Sequence, residues 1–231
     1  GTNTYNEHNL SIGAQISKTQ GKTLHFDATA ETWLTGEDSG QLRIDGKIDL
    51  NFPLFGDTVT LAANAFFHRD NPSFYFRHYH SKHFWWDYSS LSKTTHSRIQ
   101  GIFSYQKTHT TLRFAVDELD NLTYFGQSYT MGDTEHPRKD VALHVGQGGA
   151  TSLLTVQLEQ NFNLGPLYWE NVITYQKSSK EDVIAVPDLN IYSNLYLHFK
   201  IARVLKCDLG GDIRYFSKYY APDYSPALGS Y

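Results

Sequence analysis

The chain has 231 residues, a net charge of −4, one cysteine and 15% aromatic residues, among them 16 Tyr and 14 Phe. With a pI near 6.3 it lacks the basic stripe of a nucleic-acid binder. A lone Cys207 excludes an internal disulfide, a C-x-x-C motif and a zinc ribbon. Mean hydropathy is −0.47, and no segment approaches the roughly 18 apolar residues of a spanning helix. A membrane reading must therefore rest on strands, whose signal per element is weaker.

Period-two alternation predicts strands along most of the chain. A first, less regular one lies near residues 8–18. In the second, Leu24, Phe26, Ala28 and Ala30 oppose His25, Asp27, Thr29 and Glu31. The third is the cleanest. Leu42, Ile44, Ile48, Leu50 and Phe52, with Gly46, share one face, and Arg43, Asp45, Lys47, Asp49 and Asn51 share the other. A helix would spread those charges around its circumference, whereas a strand sorts them. Val59, Leu61, Ala63, Ala65 and Phe67 then oppose Thr60, Asn64 and His68. Further on, Ile99, Phe103 and Tyr105 oppose Arg98, Gln100 and Ser104, and Leu112, Phe114 and Val116 oppose Arg113 and Asp117. Leu154, Val156 and Leu158 oppose Thr155, Gln157 and Glu159. A strand near 167–177 carries Asn171 on its otherwise apolar face. The last two set Leu189, Ile191, Leu195, Leu197, Phe199 and Ile201 against Asn190, Asn194, His198 and Lys200, and Leu209, Ile213 and Tyr215 against Asp208, Asp212 and Arg214. About ten strands result, most near the ten-residue length of a membrane-barrel strand.

The connections alternate as well. Short ones fall at Gln20-Gly21, Phe55-Gly56-Asp57, Thr108-His109, Leu164-Gly165-Pro166 and Arg203-Val204. Long ones fall at 35–40, 69–94, 117–150, 178–188 and from 217 onward. Outer-membrane barrels have short periplasmic turns and longer extracellular loops, and a soluble sandwich has no reason to sort its loops this way. Trp33, Phe52, Tyr105, Trp169, Tyr175 and Tyr215 lie near strand ends, where interfacial girdles place such rings. The expected fold is all-β: a transmembrane up-and-down antiparallel barrel forming a single domain over 1–231. Both ends fall on the long-loop side, and no signal peptide precedes Gly1, so the expectation is an excerpt of a larger barrel.

Three stretches carry a family resemblance. They are Phe74-Tyr75-Phe76-Arg77-His78-Tyr79-His80-Ser81-Lys82-His83-Phe84-Trp85-Trp86, the run Pro187-Asp188-Leu189 through Tyr192-Ser193-Asn194-Leu195-Tyr196, and Arg214-Tyr215-Phe216 through Lys218-Tyr219-Tyr220-Ala221-Pro222-Asp223-Tyr224. The chain resembles the large putative porin family of outer-membrane proteins from gut-type Gram-negative anaerobes. That likeness implies a bacterial outer-membrane location, a longer chain with a signal peptide, and passive diffusion. It brings no catalytic residues and no cofactor.

Rings of charge inside a barrel screen permeating solutes. The candidate pore lining is Arg43, Asp45, Lys47, Asp49, Arg98, Arg113, Asp117, Glu159, His198, Lys200, Asp208, Asp212 and Arg214. The competing reading is that these charges pair across strands inside a plugged barrel. The segment 69–94 is expected to fold inward or cap the mouth, with Arg77, His78, His80, Lys82, His83, Trp85 and Trp86 as a constriction loop. His78, His80 and His83 suit zinc or copper, but Asp87 is the only acidic ligand nearby and no metal is assigned. Sugar stacking by the tyrosines at 215–224, a rim enzyme built on His68, His83 and Asp87, and glycosylation at Asn121-Leu122-Thr123 are weaker readings.

The function expected is a diffusion channel for small polar solutes or ions. A plugged structural or binding barrel that partners another outer-membrane complex is the alternative, and a soluble sandwich or lipocalin-like barrel is the third. Expected partners are outer-membrane lipid and lipopolysaccharide, the permeating solutes, and either copies of itself or other outer-membrane proteins.

Overall fold

The computed structural model describes residues 4–54, 56–82, 84–132, 134–135 and 138–221, leaving out the side chains of residues 129 and 138–141. The chain opens with β1 (Leu10–Lys18), β2 (Leu24–Thr35), β3 (Leu42–Leu54) and β4 (Asp57–Asp70). A long connection then holds a single helical turn (Phe74–Arg77) and the hairpin β5 (His78–His80) and β6 (Trp85–Asp87). β7 (Thr94–Tyr105) and β8 (Thr110–Asp120) follow, then a second loop hairpin of β9 (Leu122–Met131) and β10 (Arg138–Gly148). The last four strands are β11 (Thr151–Leu164), β12 (Leu167–Ser178), β13 (Leu189–Ile201) and β14 (Leu205–Phe216).

Ten of these form one antiparallel sheet in the order β1-β2-β3-β4-β7-β8-β11-β12-β13-β14. Each predicted strand is one of the ten. The sheet is up-and-down throughout, because the two loop hairpins pair only within themselves. Among the described residues β1 and β14 pair with nothing on their outer sides, so the sheet is an open wall. Its short turns use the left-handed backbone region that tight hairpins require. Gly165 takes it with a φ of 63°, and His109, Ala202 and Arg203 take it without glycine.

Register keeps the two faces apart from edge to edge. One row of partners reads Ile16, Ala28, Gly46, Ala65, Ile99, Val116 and Leu154. A row on the opposite face reads Thr29, Asp45, Phe66, Arg98 and Asp117. Because the side-chain period is two, a slip of one residue would exchange the faces.

Among the described residues no second layer covers the apolar face, and of its band on β4 only Val59 is buried. Ile99 is 70% exposed, Leu195 47% and Leu61 42%, and the buried apolar side chains among the described residues are Val59, Trp86 and Ala115. The accessible surface is 15910 Å². A compact soluble chain of the same mass would expose only about 10600 Å². That excess is the signature of a one-layer wall. The apolar band on β4 runs from Val59 to Phe67. At the usual rise per residue it is about 27 Å long, which becomes about 21 Å along a membrane normal at a barrel tilt of about 40°. Beyond it, on the same face, the alternation ends at Arg69, Ser97, Glu118, Ser152 and Lys177, all toward the long loops.

Two positions depart from the simple pattern. Asn171 does lie on the apolar face, but register places it between Gln160 and Ser193. Ser193 Oγ donates to Asn171 Oδ1 at 2.8 Å, Asn171 Nδ2 donates to the Gln160 carbonyl at 3.3 Å, and Trp169 Nε1 donates to Ser193 Oγ at 2.8 Å. The polar groups satisfy one another, which lowers the cost of leaving them in an apolar band. Trp33, expected in the outer girdle, instead shares the polar face with its partner Ser11. The Arg43 guanidinium lies over its ring at 5.3 Å. Phe52, Tyr105, Trp169, Tyr175 and Tyr215 all fall on the apolar face, near strand ends.

Candidate functional site

The polar face of the wall carries charge pairs. Across strands, Arg43 Nε meets Asp70 at 2.9 Å, and Arg113 Nη1 meets Glu159 at 3.1 Å and also reaches Gln157; within β14, Arg214 Nε meets Asp212 at 3.5 Å with its guanidinium over Tyr192. Arg98 stands 3.8 Å from Asp117, whose side chain is only 6% exposed. Lys47 faces Asp27 and Asn64 across the register, while Lys200 faces Lys206 near the short-turn rim. All thirteen candidate lining positions therefore lie on one face, and Arg43, Lys47, Arg98, Arg113, Asp117 and Glu159 each have an opposite charge on a neighbouring strand.

Histidine supplies a second set of pairs. His25 Nδ1 is 2.7 Å from Asp49, His68 Nε2 is 3.1 Å from Asp45, His96 Nε2 is 2.8 Å from Asp117 and His198 Nδ1 is 2.5 Å from Asp208. Phe66 stacks on His68 at 4.5 Å and meets His96 edge-on at 4.8 Å. Of these four histidines only His198 is among the lining residues expected from sequence. The others stand at polar positions of the alternation, but two of the partnerships are diagonal, and a diagonal is visible only once register is known. Asp70, Glu170, Tyr168 and Tyr196 escape a reading of the sequence for the same reason. Glu170 accepts from the Tyr196 hydroxyl at 2.9 Å and from Asn194 Nδ2 at 3.2 Å, and the rings of Tyr168 and Tyr196 stack at 5.2 Å.

At the long-loop rim, the segment between β4 and β7 is tied to its neighbours. Arg77 joins three chain segments: Nη2 to Glu7 at 3.0 Å, Nη1 to Glu37 at 3.4 Å and Nε to the Pro72 carbonyl at 3.0 Å. Trp86 is buried, donating Nε1 to the Tyr75 carbonyl at 3.1 Å and stacking on Tyr79 at 4.7 Å. Phe125 of the β9–β10 hairpin packs on Phe76 at 4.4 Å and Trp86 at 5.7 Å. Trp85 is 72% exposed and Lys82 is exposed near the hairpin tip, while His83 lies outside the described residues. His78 and His80 both bond Asp87, each at 2.8 Å, and hold its carboxyl below the usual carboxylate range, His78 foremost. Among the described residues no trio of His, Cys, Asp or Glu is disposed to hold a metal ion.

The Arg77 knot gives a direct expectation. Arg77→Ala should release the loop between β4 and β7 and speed chymotryptic cleavage at residues 74–86 about tenfold, since opening a local unit becomes easier by roughly 1.4 kcal/mol. Unchanged cleavage would mean that the aromatic cluster alone holds the loop.

The sequence profile of the family described as Putative porin matches residues 1–231, the whole chain. The chain belongs to that family. No curated protein and no solved structure matches it. The porin's two-faced wall agrees with the family's description, and no helix among its described residues is long and apolar enough to cross a membrane.

Proposed function

We propose that this porin forms part of the wall of a channel in the bacterial outer membrane, through which small polar solutes and ions diffuse passively. The supporting observation is the asymmetry of the sheet. An uncovered apolar face of this extent is stable only against lipid, and a face of exposed charge pairs belongs against water. On this reading, outer-membrane lipid and lipopolysaccharide are the partners of the apolar face. The charged interior favours no catalytic role.

Open edges add a physical requirement. Unpaired backbone N–H and C=O groups in hydrocarbon cost several kcal/mol each. The outer edges of β1 and β14 must therefore be paired in the membrane, and further strands of the same polypeptide are the proposed partners. Mixed, paired charge supports only a weak ion preference.

The density of ion pairs also favours a second reading, a plugged barrel that scaffolds another envelope complex or a second copy. Planar-bilayer recording of the full-length protein separates the two. Stepwise conductance is the expected result. No conductance, together with co-purifying envelope proteins, would favour the plugged barrel.

A further inference from the structure

We propose that His25, His68, His96 and His198 make the ion preference of the channel depend on pH, weakening its preference for cations as the pH falls from 8 to 5. The proposal rests on the channel reading above. All four imidazoles lie on the polar face, each within bonding distance of an aspartate on the adjacent strand. Their side chains are 28–37% exposed, so water and protons reach them. A neutral imidazole leaves such a pair with one negative charge, and a protonated one leaves it neutral. Imidazole is the side chain whose ordinary titration falls between pH 5 and 8.

The surroundings of each ring decide how that charge is felt. His25 on β2 faces Asp49 on β3, has Asp27 as its same-face neighbour and the Lys18 cation of β1 nearby, and bonds the Gly21 carbonyl at 3.0 Å. His68 on β4 has Arg43 directly opposite and Asp45 diagonal on β3, with His96 directly opposite on β7 and Asp70 on its own strand. His96 is joined to Asp117 on β8, where Arg98 of β7 also approaches. His198 on β13 faces Asp208 on β14 and the edge of Tyr168 on β12, with Lys200 and Lys206 beyond. Three of the four carboxylates have only the imidazole as an ion-pair partner among the described residues. Aspartate and glutamate outnumber lysine and arginine on this face, so with neutral imidazoles the surplus is negative. Protonation adds a positive charge against that surplus at four places spread from β2 to β13. One unit charge about 8 Å away in water changes the local concentration of a monovalent ion roughly twofold, and the effect survives within a Debye length.

Reversal potentials of the full-length protein across a KCl gradient at low ionic strength, at pH 8 and pH 5, test this. The cation-to-anion permeability ratio of the wild type should fall at least about twofold between the two. The variant His25→Gln/His68→Gln/His96→Gln/His198→Gln should match the wild type at pH 8 and remain the more cation-selective at pH 5. Heat-modifiable gel migration reports whether it is folded. If it is not, His68→Gln/His96→Gln should show a smaller shift in the same sense. A wild type with a constant ratio, or a folded variant that shifts as far as the wild type, would overturn the proposal. Absence of any conductance would instead overturn the channel reading beneath it.

Discussion

Replacing Ala63 by Arg should lower the stability of the folded protein in lipid vesicles by about 2–4 kcal/mol, the cost of a cationic side chain near the bilayer midplane on the lipid side of a barrel. Ala63 is the middle residue of the β4 band and lies between Ile48 and Gly101 in the register. Its chain neighbour Asn64 has the same depth and the opposite face, between Lys47 and Gln100. Asn64→Arg should therefore cost no more than about 1 kcal/mol, the scale of a charge placed near another in water. Urea titration with refolding from vesicles measures both. Equal costs at the two positions would mean that the faces do not meet different media.

A second adjacent pair probes the sheet from inside. A Cβ on Gly210 would collide with the Leu195 carbonyl oxygen and sit 2.5 Å from the Tyr196 Cα, both backbone groups of β13 that cannot swing aside. Gly210→Val should cost about 3 kcal/mol, the upper range for overpacking, and should loosen the ladder between β13 and β14. A Cβ on Gly211 meets nothing within 4 Å. Gly211 lies opposite Leu195 on the apolar face. Gly211→Val gains a strand-favouring, apolar side chain there and should be neutral or stabilising by up to about 1 kcal/mol. The same titration distinguishes them, and a well-tolerated Gly210→Val would contradict the register between these strands.

Where the two faces of a strand meet different media, alternation exposes it. β3 is the plainest case, with Arg43, Asp45, Lys47 and Asp49 on one side and Ile44, Ile48 and Leu50 on the other. The hairpins β5–β6 and β9–β10 pass for long loops in the sequence, because nothing sorts the residues of a hairpin that stands outside the membrane band. In Leu122–Met131 polar and apolar residues mix, with Gly126, Gln127 and Ser128 at its centre. Trp33 shows that an aromatic near a strand end is not by itself a girdle residue; its odd number puts it with Glu31 and Asp27 on the polar face. Asn171 looks like a flaw in one dimension because its relief comes from Gln160 and Ser193 on other strands. The lining residues are likewise legible as a face and illegible as a network. Alternation reveals which side a charge takes, but the diagonal bonds of His68 to Asp45 and His96 to Asp117 depend on cross-strand register.

The most direct measurement is nitroxide scanning of residues 60–67 on β4 in a Cys207→Ser background, with collision rates read for oxygen, which concentrates in lipid, and for a water-soluble nickel chelate. Labels at Leu61, Ala63, Ala65 and Phe67 should collide chiefly with oxygen, and labels at Thr60, Ala62, Asn64 and Phe66 chiefly with nickel, in strict alternation. If the odd positions were instead shielded from both reagents, as in the packed interior of a soluble sandwich, the account of a lipid-facing wall would be contradicted.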